Sequence, residues 1–168
     1  MDAKSFLSNK SICALPWTGF ELEPSGHVKN CVISKQTMGH INQTPIKDIL
    51  HGEFNVRLKD KMLADQSPAN CEGCYLQEKN RKDLNSISSR LYYLKEIGAK
   101  TNLELYDNKK NFSLKHVDLR WTNACNQACV YCSPELSSKW AKELGVDVRS
   151  DKQARQEVKD YVFENIEN

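Results

Sequence analysis

Residues 116–134 read HVDLRWTNACNQACVYCSP. Val117, Leu119 and Trp121 alternate with His116, Asp118 and Arg120, the period-two pattern of a strand over 116–122. Cys125, Cys129 and Cys132 follow at once as a C-x3-C-x2-C run. Ser133-Pro134 then opens an expected helix, with Leu136, Trp140 and Leu144 on one face and Gly145 at its end. Strand, cysteine loop and helix in that order suggest the first step of an α/β barrel, a fold that puts its chemistry at the C-terminal ends of its strands. A closed structural metal site takes four ligands, so three thiolates leave one metal position open to a substrate or cofactor. Thiolate is a soft ligand that selects zinc or iron–sulfur clusters. Trp121, Leu136 and Trp140 are expected in the core. His116, Asp118 and Arg120 share a polar face that can meet a cofactor or substrate.

The other four cysteines form a separate set. Cys13 and Cys31 are spaced C-x12-G-x4-C around Gly26, and Cys71 and Cys74 form a C-x2-C pair. Residues 12–33 read as a hairpin: Trp17 to Leu22 partly alternates, Pro24-Ser25-Gly26 supplies the turn, and His27 to Val32 returns. Pairing of its strands brings Cys13 and Cys31 together, and Gly26 takes the positive φ that such a turn uses. Residues 45–64 read as one helix. Thr44 is its N-cap, Pro45 its first residue, and Ile46, Leu50, Phe54, Leu58 and Met62 recur on one face; Gly52 weakens it. A helix is expected over 84–96, with Leu84, Ile87, Leu91 and Leu94 as its stripe and Gly98 as its stop. Asp151 is placed to cap a last helix carrying Val158, Val162 and Ile166. Residues 98–113 read as a connection. Four thiolates close either a tetrahedral zinc or a fully ligated [4Fe–4S] cluster, and spacing alone does not choose.

The 168 residues leave room for one domain or two small ones. A hydrophobic content of 39% permits a packed core, and a formal charge of +2 is not a nucleic-acid signature. Lys79-Asn80-Arg81-Lys82 reads as a solvated surface. No apolar run reaches membrane-spanning length, and residues 1–6 carry no signal-peptide core. The expected location is therefore the cytoplasm, where closely spaced cysteines bind metal more often than they form disulfides.

Cys125 to Cys132, with Tyr131 just before the last cysteine, resembles the C-x3-C-x-aromatic-C motif of the radical S-adenosylmethionine enzymes. It also sits where theirs does, directly after a first strand. The C-x12-G-x4-C hairpin, the helix after it and the Cys71/Cys74 pair look like the SPASM and shorter twitch domains, which bind auxiliary clusters in the same enzymes. The resemblance implies a [4Fe–4S] cluster on Cys125, Cys129 and Cys132 whose fourth iron binds S-adenosylmethionine, with Tyr131 near the adenine. It implies a second, auxiliary [4Fe–4S] cluster on Cys13, Cys31, Cys71 and Cys74. The implied activity is reductive cleavage of S-adenosylmethionine to methionine and a 5′-deoxyadenosyl radical, which abstracts hydrogen from a substrate. Peptide or protein modification is the associated substrate class, and a flavodoxin or ferredoxin the kind of electron donor. No side chain is assigned a catalytic role of its own.

The implied fold is α/β, α+β overall. A small hairpin-plus-helices auxiliary domain spans 1–97, a linker 98–113, and the first strand–helix unit of a partial TIM-like (β/α)6 radical S-adenosylmethionine barrel 114–168. Here the auxiliary unit precedes the barrel, whereas in the family it usually follows. No Gly-Gly-Glu-type segment is present, so the sequence is expected to be the N-terminal part of a longer enzyme or a truncated gene product. The competing reading is a non-catalytic, cysteine-rich zinc module that binds a partner. No membrane or nucleic-acid partner is expected.

Overall fold

The computed structural model describes residues 8–80, 87–148 and 151–166. Its first element after Cys13 is a single helical turn, α1 (Leu15–Thr18), where alternation suggested a strand. Pro16 suits the first turn of a helix, and Thr18 Oγ1 donates to Ala14 O at 2.9 Å. Strands β1 (Gly19–Leu22), β2 (His27–Lys29) and β3 (Gly39–His40) follow. Gly26 turns β1 into β2 at φ 98°, as the spacing required. Strand β4 (His116–Leu119) pairs parallel with β1, from Gly19 beside His116 to Leu22 beside Leu119. The result is a small, open, mixed sheet of order β3-β2-β1-β4. Central β1 is buried throughout. The parallel pairing depends on Gly19, where a Cβ would stand 2.5 Å from His116 O.

Two helices, α2 (Ile46–Leu50) and α3 (Glu53–Leu63), replace the one expected over 45–64. Asn55 holds the break. Its amide donates to Leu50 O at 2.8 Å and Pro16 O at 3.1 Å, so the carbonyl ending α2 is satisfied by a side chain. Next come α4 (Glu72–Lys79) and α5 (Ser89–Glu96), the latter capped by Ser88, whose Oγ accepts from Leu91 N at 3.2 Å. Leu84, Arg81 and Lys82 lie outside the described residues, and Ile87 is exposed rather than part of a buried stripe. Helix α6 (Ser138–Leu144) begins later than Ser133-Pro134 implied, because Ser137 caps it. Leu136 and Leu144 are exposed, so the expected apolar face does not form. Helix α7 (Lys152–Asn165) is capped by Asp151, which accepts from Gln153 N and Ala154 N. Val158 and Val162 are buried as expected; Ile166 lies past the helix end.

Two apolar clusters hold these elements. The first joins Phe20, Leu22 and Val28 of the sheet to α2 and α7, with Val117, Leu119 and Trp121 packed against it. The second joins Ile12, Ala14 and Trp17 to Leu58, Met62 and Tyr106. Tyr106, from the segment read as a connection, is fully buried and meets Trp17 edge-on at 5.6 Å.

Lys59 is buried beside the second cluster, an unusual place for an ammonium group. Its Nζ donates to Asn111 O at 2.7 Å and lies 5.5 Å from the ring centres of Trp17 and Phe112. Burial depresses its pKa to about 7. An unfolded lysine keeps its proton to about pH 10.4. Between these values the unfolded chain binds more protons, so stability rises with pH. The penalty is complete below about pH 7 and is on the order of 4–5 kcal/mol. Lys59→Met is expected to flatten the stability profile from about pH 7 to 8.5, read as the denaturant midpoint. Equal slopes in the two proteins would show that Lys59 stays charged in the fold.

Candidate metal centres

Three chain segments carry the four-cysteine set. Cys13 precedes α1, Cys31 follows β2, Cys71 is the N-cap residue of α4, and Cys74 lies in that helix's first turn. All seven thiols are free. Burial pushes the Cys13 thiol well up, and Cys31, Cys71 and Cys74 add to the shift, so the four share one electrostatic neighbourhood. Burial also pushes Cys71 up to about 12, with Cys31 and Cys74 contributing. Cys31 and Cys74 are raised, again chiefly by burial. Cys13 and Cys71 pack against the second apolar cluster.

Each sulfur nevertheless has hydrogen-bond donors. The backbone of Leu15 serves Cys13, those of Ile33 and Ser34 serve Cys31, those of Arg90 and Ser89 serve Cys74, and the Asn30 side chain serves Cys71. Donors to sulfur stabilise the thiolate and tune a metal bound to it. A bound metal also reverses the effect of burial, since a coordinating thiol is deprotonated outright. Four soft donors with such partners fit a thiolate-bound metal group.

Arg90 braces this set. It is buried, its guanidinium forks onto Glu78, and Nη1 donates to Ile12 O at 2.8 Å, next to Cys13. Tyr75 OH donates to Ser11 O at 2.7 Å. Together they tie α4 and α5 to the segment bearing Cys13. Sequence reasoning missed Arg90, Glu78 and Asn30. Asn30 alone carried a signal, its position beside Cys31; nothing local marks Arg90.

Cys125, Cys129 and Cys132 lie in the irregular segment between β4 and α6. The start of α6 pins that segment. Ser138 Oγ donates to Cys125 O at 2.9 Å and accepts from Cys125 N at 3.1 Å. Ser137 Oγ donates to Gln127 O at 2.7 Å, and Trp140 Nε1 to Cys129 O at 3.0 Å. Trp140 thus holds the cysteine loop instead of the core; of the three residues expected inside, Trp121 is the one that packs there. The three thiols are half-buried. Val130 and Tyr131 project, 95% and 89% exposed. The Tyr131 hydroxyl interacts with Cys129, which raises its pKa. Among the described residues, no three His, Cys, Asp or Glu side chains converge on a single-ion position.

Strand register places the two sets relative to each other. β1 and β4 run in one direction and β2 in the other. Cys31, past the end of β2, is therefore level with Gly19 and His116, whereas the three-cysteine loop leaves the opposite end of β4. At ~3.3 Å per residue, about 10 Å of strand or more separates them. Glu21, Asp118 and Arg120 share the sheet face turned away from the first cluster. Arg120 Nη1 lies 3.0 Å from Glu21 Oε1, and Nη2 3.2 Å from Asp118 Oδ2. Glu21 is buried without an aligned hydrogen-bond donor, and burial raises its pKa against the opposing pull of Arg120. His116 rests against Tyr93, Nε2 to Oη 3.3 Å. The polar face read from alternation is present, and its own ion pairs occupy it.

The four-cysteine set falls within a known family model. Residues 13–75 match the SPASM model, an iron-sulfur cluster-binding domain. The SPASM match begins at Cys13 and ends just past Cys74, taking in the whole four-cysteine set and leaving out the three-cysteine loop. It covers just over a third of the chain. SPASM domains are iron–sulfur cluster-binding domains of radical S-adenosylmethionine enzymes. No curated protein and no solved structure matches the chain. No helix among the described residues is long and apolar enough to cross a membrane.

Proposed function

We propose that this chain is an iron–sulfur protein of the radical S-adenosylmethionine type with two cluster sites. Cys13, Cys31, Cys71 and Cys74 hold an auxiliary [4Fe–4S] cluster. Cys125, Cys129 and Cys132 hold a second, with one iron open to S-adenosylmethionine. The observation that carries this reading is the SPASM match across the four-cysteine set, in a chain that also bears a C-x3-C-x2-C loop after a parallel strand. Such a three-thiolate cluster supplies an open iron and one electron, the chemistry of reductive S-adenosylmethionine cleavage. The chain's own residues hold the ligands. Ser137, Ser138 and Trp140 fix the backbone of the three-cysteine loop. Tyr131 is exposed beside Cys129, and in this reading it meets the adenine. Hydrogen abstraction from a peptide or protein is the proposed reaction, with a flavodoxin or ferredoxin as electron donor. The auxiliary cluster, fully ligated, serves electron transfer or structure.

Electron paramagnetic resonance of the reconstituted, reduced protein tests the open iron. Adding S-adenosylmethionine is expected to change the spectrum of one cluster and leave the other unaltered. A spectrum indifferent to S-adenosylmethionine would overturn the role given to the three-cysteine loop.

A further inference from the structure

We propose that the recess between Trp121 and helix α7 binds a planar aromatic ligand carrying a phosphate, of which a nucleoside monophosphate is the simplest probe. The recess is shallow and open to solvent, with a volume of about 420 Å³, and is lined by Trp121, Lys152, Arg155, Gln156 and Lys159. That volume falls within the ordinary range of small-molecule sites.

Charge is the first argument. Lys152, Arg155 and Lys159 recur at helical spacing, beside the stripe of Ala154, Val158 and Val162 that packs on the core. Like charges three and four residues apart on a helix repel. None of the three pairs with a carboxylate among the described residues. Of the nearby acids, Asp151 caps the helix and Asp160 accepts from the recess residue Gln156 (Nε2) at 2.7 Å; neither ion-pairs with these cations. The first turn of α7 itself contains no acidic residue, and the carboxylate at the helix N-terminus is that of the N-cap Asp151. A bound phosphate would offset the mutual repulsion of the three cations.

Shape is the second argument. Trp121 is held by packing against the first cluster, and Arg155 Nη1 donates to Trp121 O at 3.1 Å. The guanidinium is thereby fixed beside the indole with donors remaining for an oxyanion. A fixed aromatic face beside cations suits a stacked ring with an anionic substituent. Trp121 lies two residues past the end of β4, so a ligand here would lie near the start of the three-cysteine loop. None of the seven cysteines lines the recess, and the inference does not depend on the cluster assignment.

Calorimetric titration with AMP, adenosine and inorganic phosphate tests it. AMP is expected to bind at least about tenfold more tightly than either of the others, and to weaken as salt screens the cations. In the double variant Lys152→Gln/Lys159→Gln, which alters two exposed side chains, AMP affinity should fall about tenfold or more with the thermal midpoint not lowered. AMP binding no tighter than phosphate, or an unchanged AMP affinity in the double variant, would overturn the proposal. The salt series reads the same point on the unaltered chain: a salt-independent affinity contradicts it.

Discussion

Replacing Cys125, Cys129 and Cys132 together with Ala is expected to lower the iron content by about four per chain, with an equal loss of acid-labile sulfide. It is also expected to abolish the spectroscopic response to S-adenosylmethionine. Replacing Cys71 and Cys74 with Ala is expected to remove about four irons as well, but to leave that response in place. The two losses are separable because the sets lie at opposite ends of the sheet and share no ligand in the assignment. Their side effects should differ too. Cys74 is buried and Cys71 packs against the second apolar cluster, so the pair variant is expected to lower the thermal midpoint. The three-cysteine loop hangs on hydrogen bonds from Ser137, Ser138 and Trp140 to backbone atoms, which the triple variant keeps. Full iron retention in the triple variant would contradict the three-cysteine assignment.

Gly19→Val destabilises the protein by about 3 kcal/mol, at the upper end of ordinary overpacking. A Cβ at this position would stand 2.5 Å from His116 O and 3.1 Å from His116 Cβ. The oxygen belongs to a strand backbone and has no rotamer to escape into. β1 cannot slide away either, because β2 is paired on its other side. The added methyl groups therefore force β4 off the sheet, and Val117, Leu119 and Trp121 lose their place against the first cluster. Hydrogen exchange should show the loss at the β4 amides along with a lower denaturant midpoint. A wild-type midpoint would mean that β1 and β4 are not paired as described.

Much of this architecture was legible because it rests on local chemistry. The β4 alternation, the Gly26 turn and the Asp151 cap each follow from a few neighbouring residues, and each formed. The elements that departed from expectation depend on distant partners. Trp17 reads as a strand residue until Tyr106, far along the chain, packs against it and Pro16 winds the segment into a turn. The 45–64 periodicity continues through Gly52, yet Asn55 draws off the carbonyls of Leu50 and Pro16, and two helices result. Trp140 falls on a helical apolar stripe, but its indole nitrogen is spent on Cys129 O. Spacing separated the cysteines into four and three, and the SPASM match over residues 13–75 spans the first set. It could not show the parallel β1–β4 pairing that sets the two groups at opposite ends of one sheet. Nor could it show Arg90, whose partners Glu78 and Ile12 come from two other segments.

The most direct test of two cluster sites is elemental. Iron, acid-labile sulfide and zinc should be measured per chain after anaerobic purification and reconstitution. Two cubane clusters predict about eight irons and eight sulfides with no stoichiometric zinc. Zinc at about one or two per chain, without sulfide, would make the protein a zinc module and contradict the account.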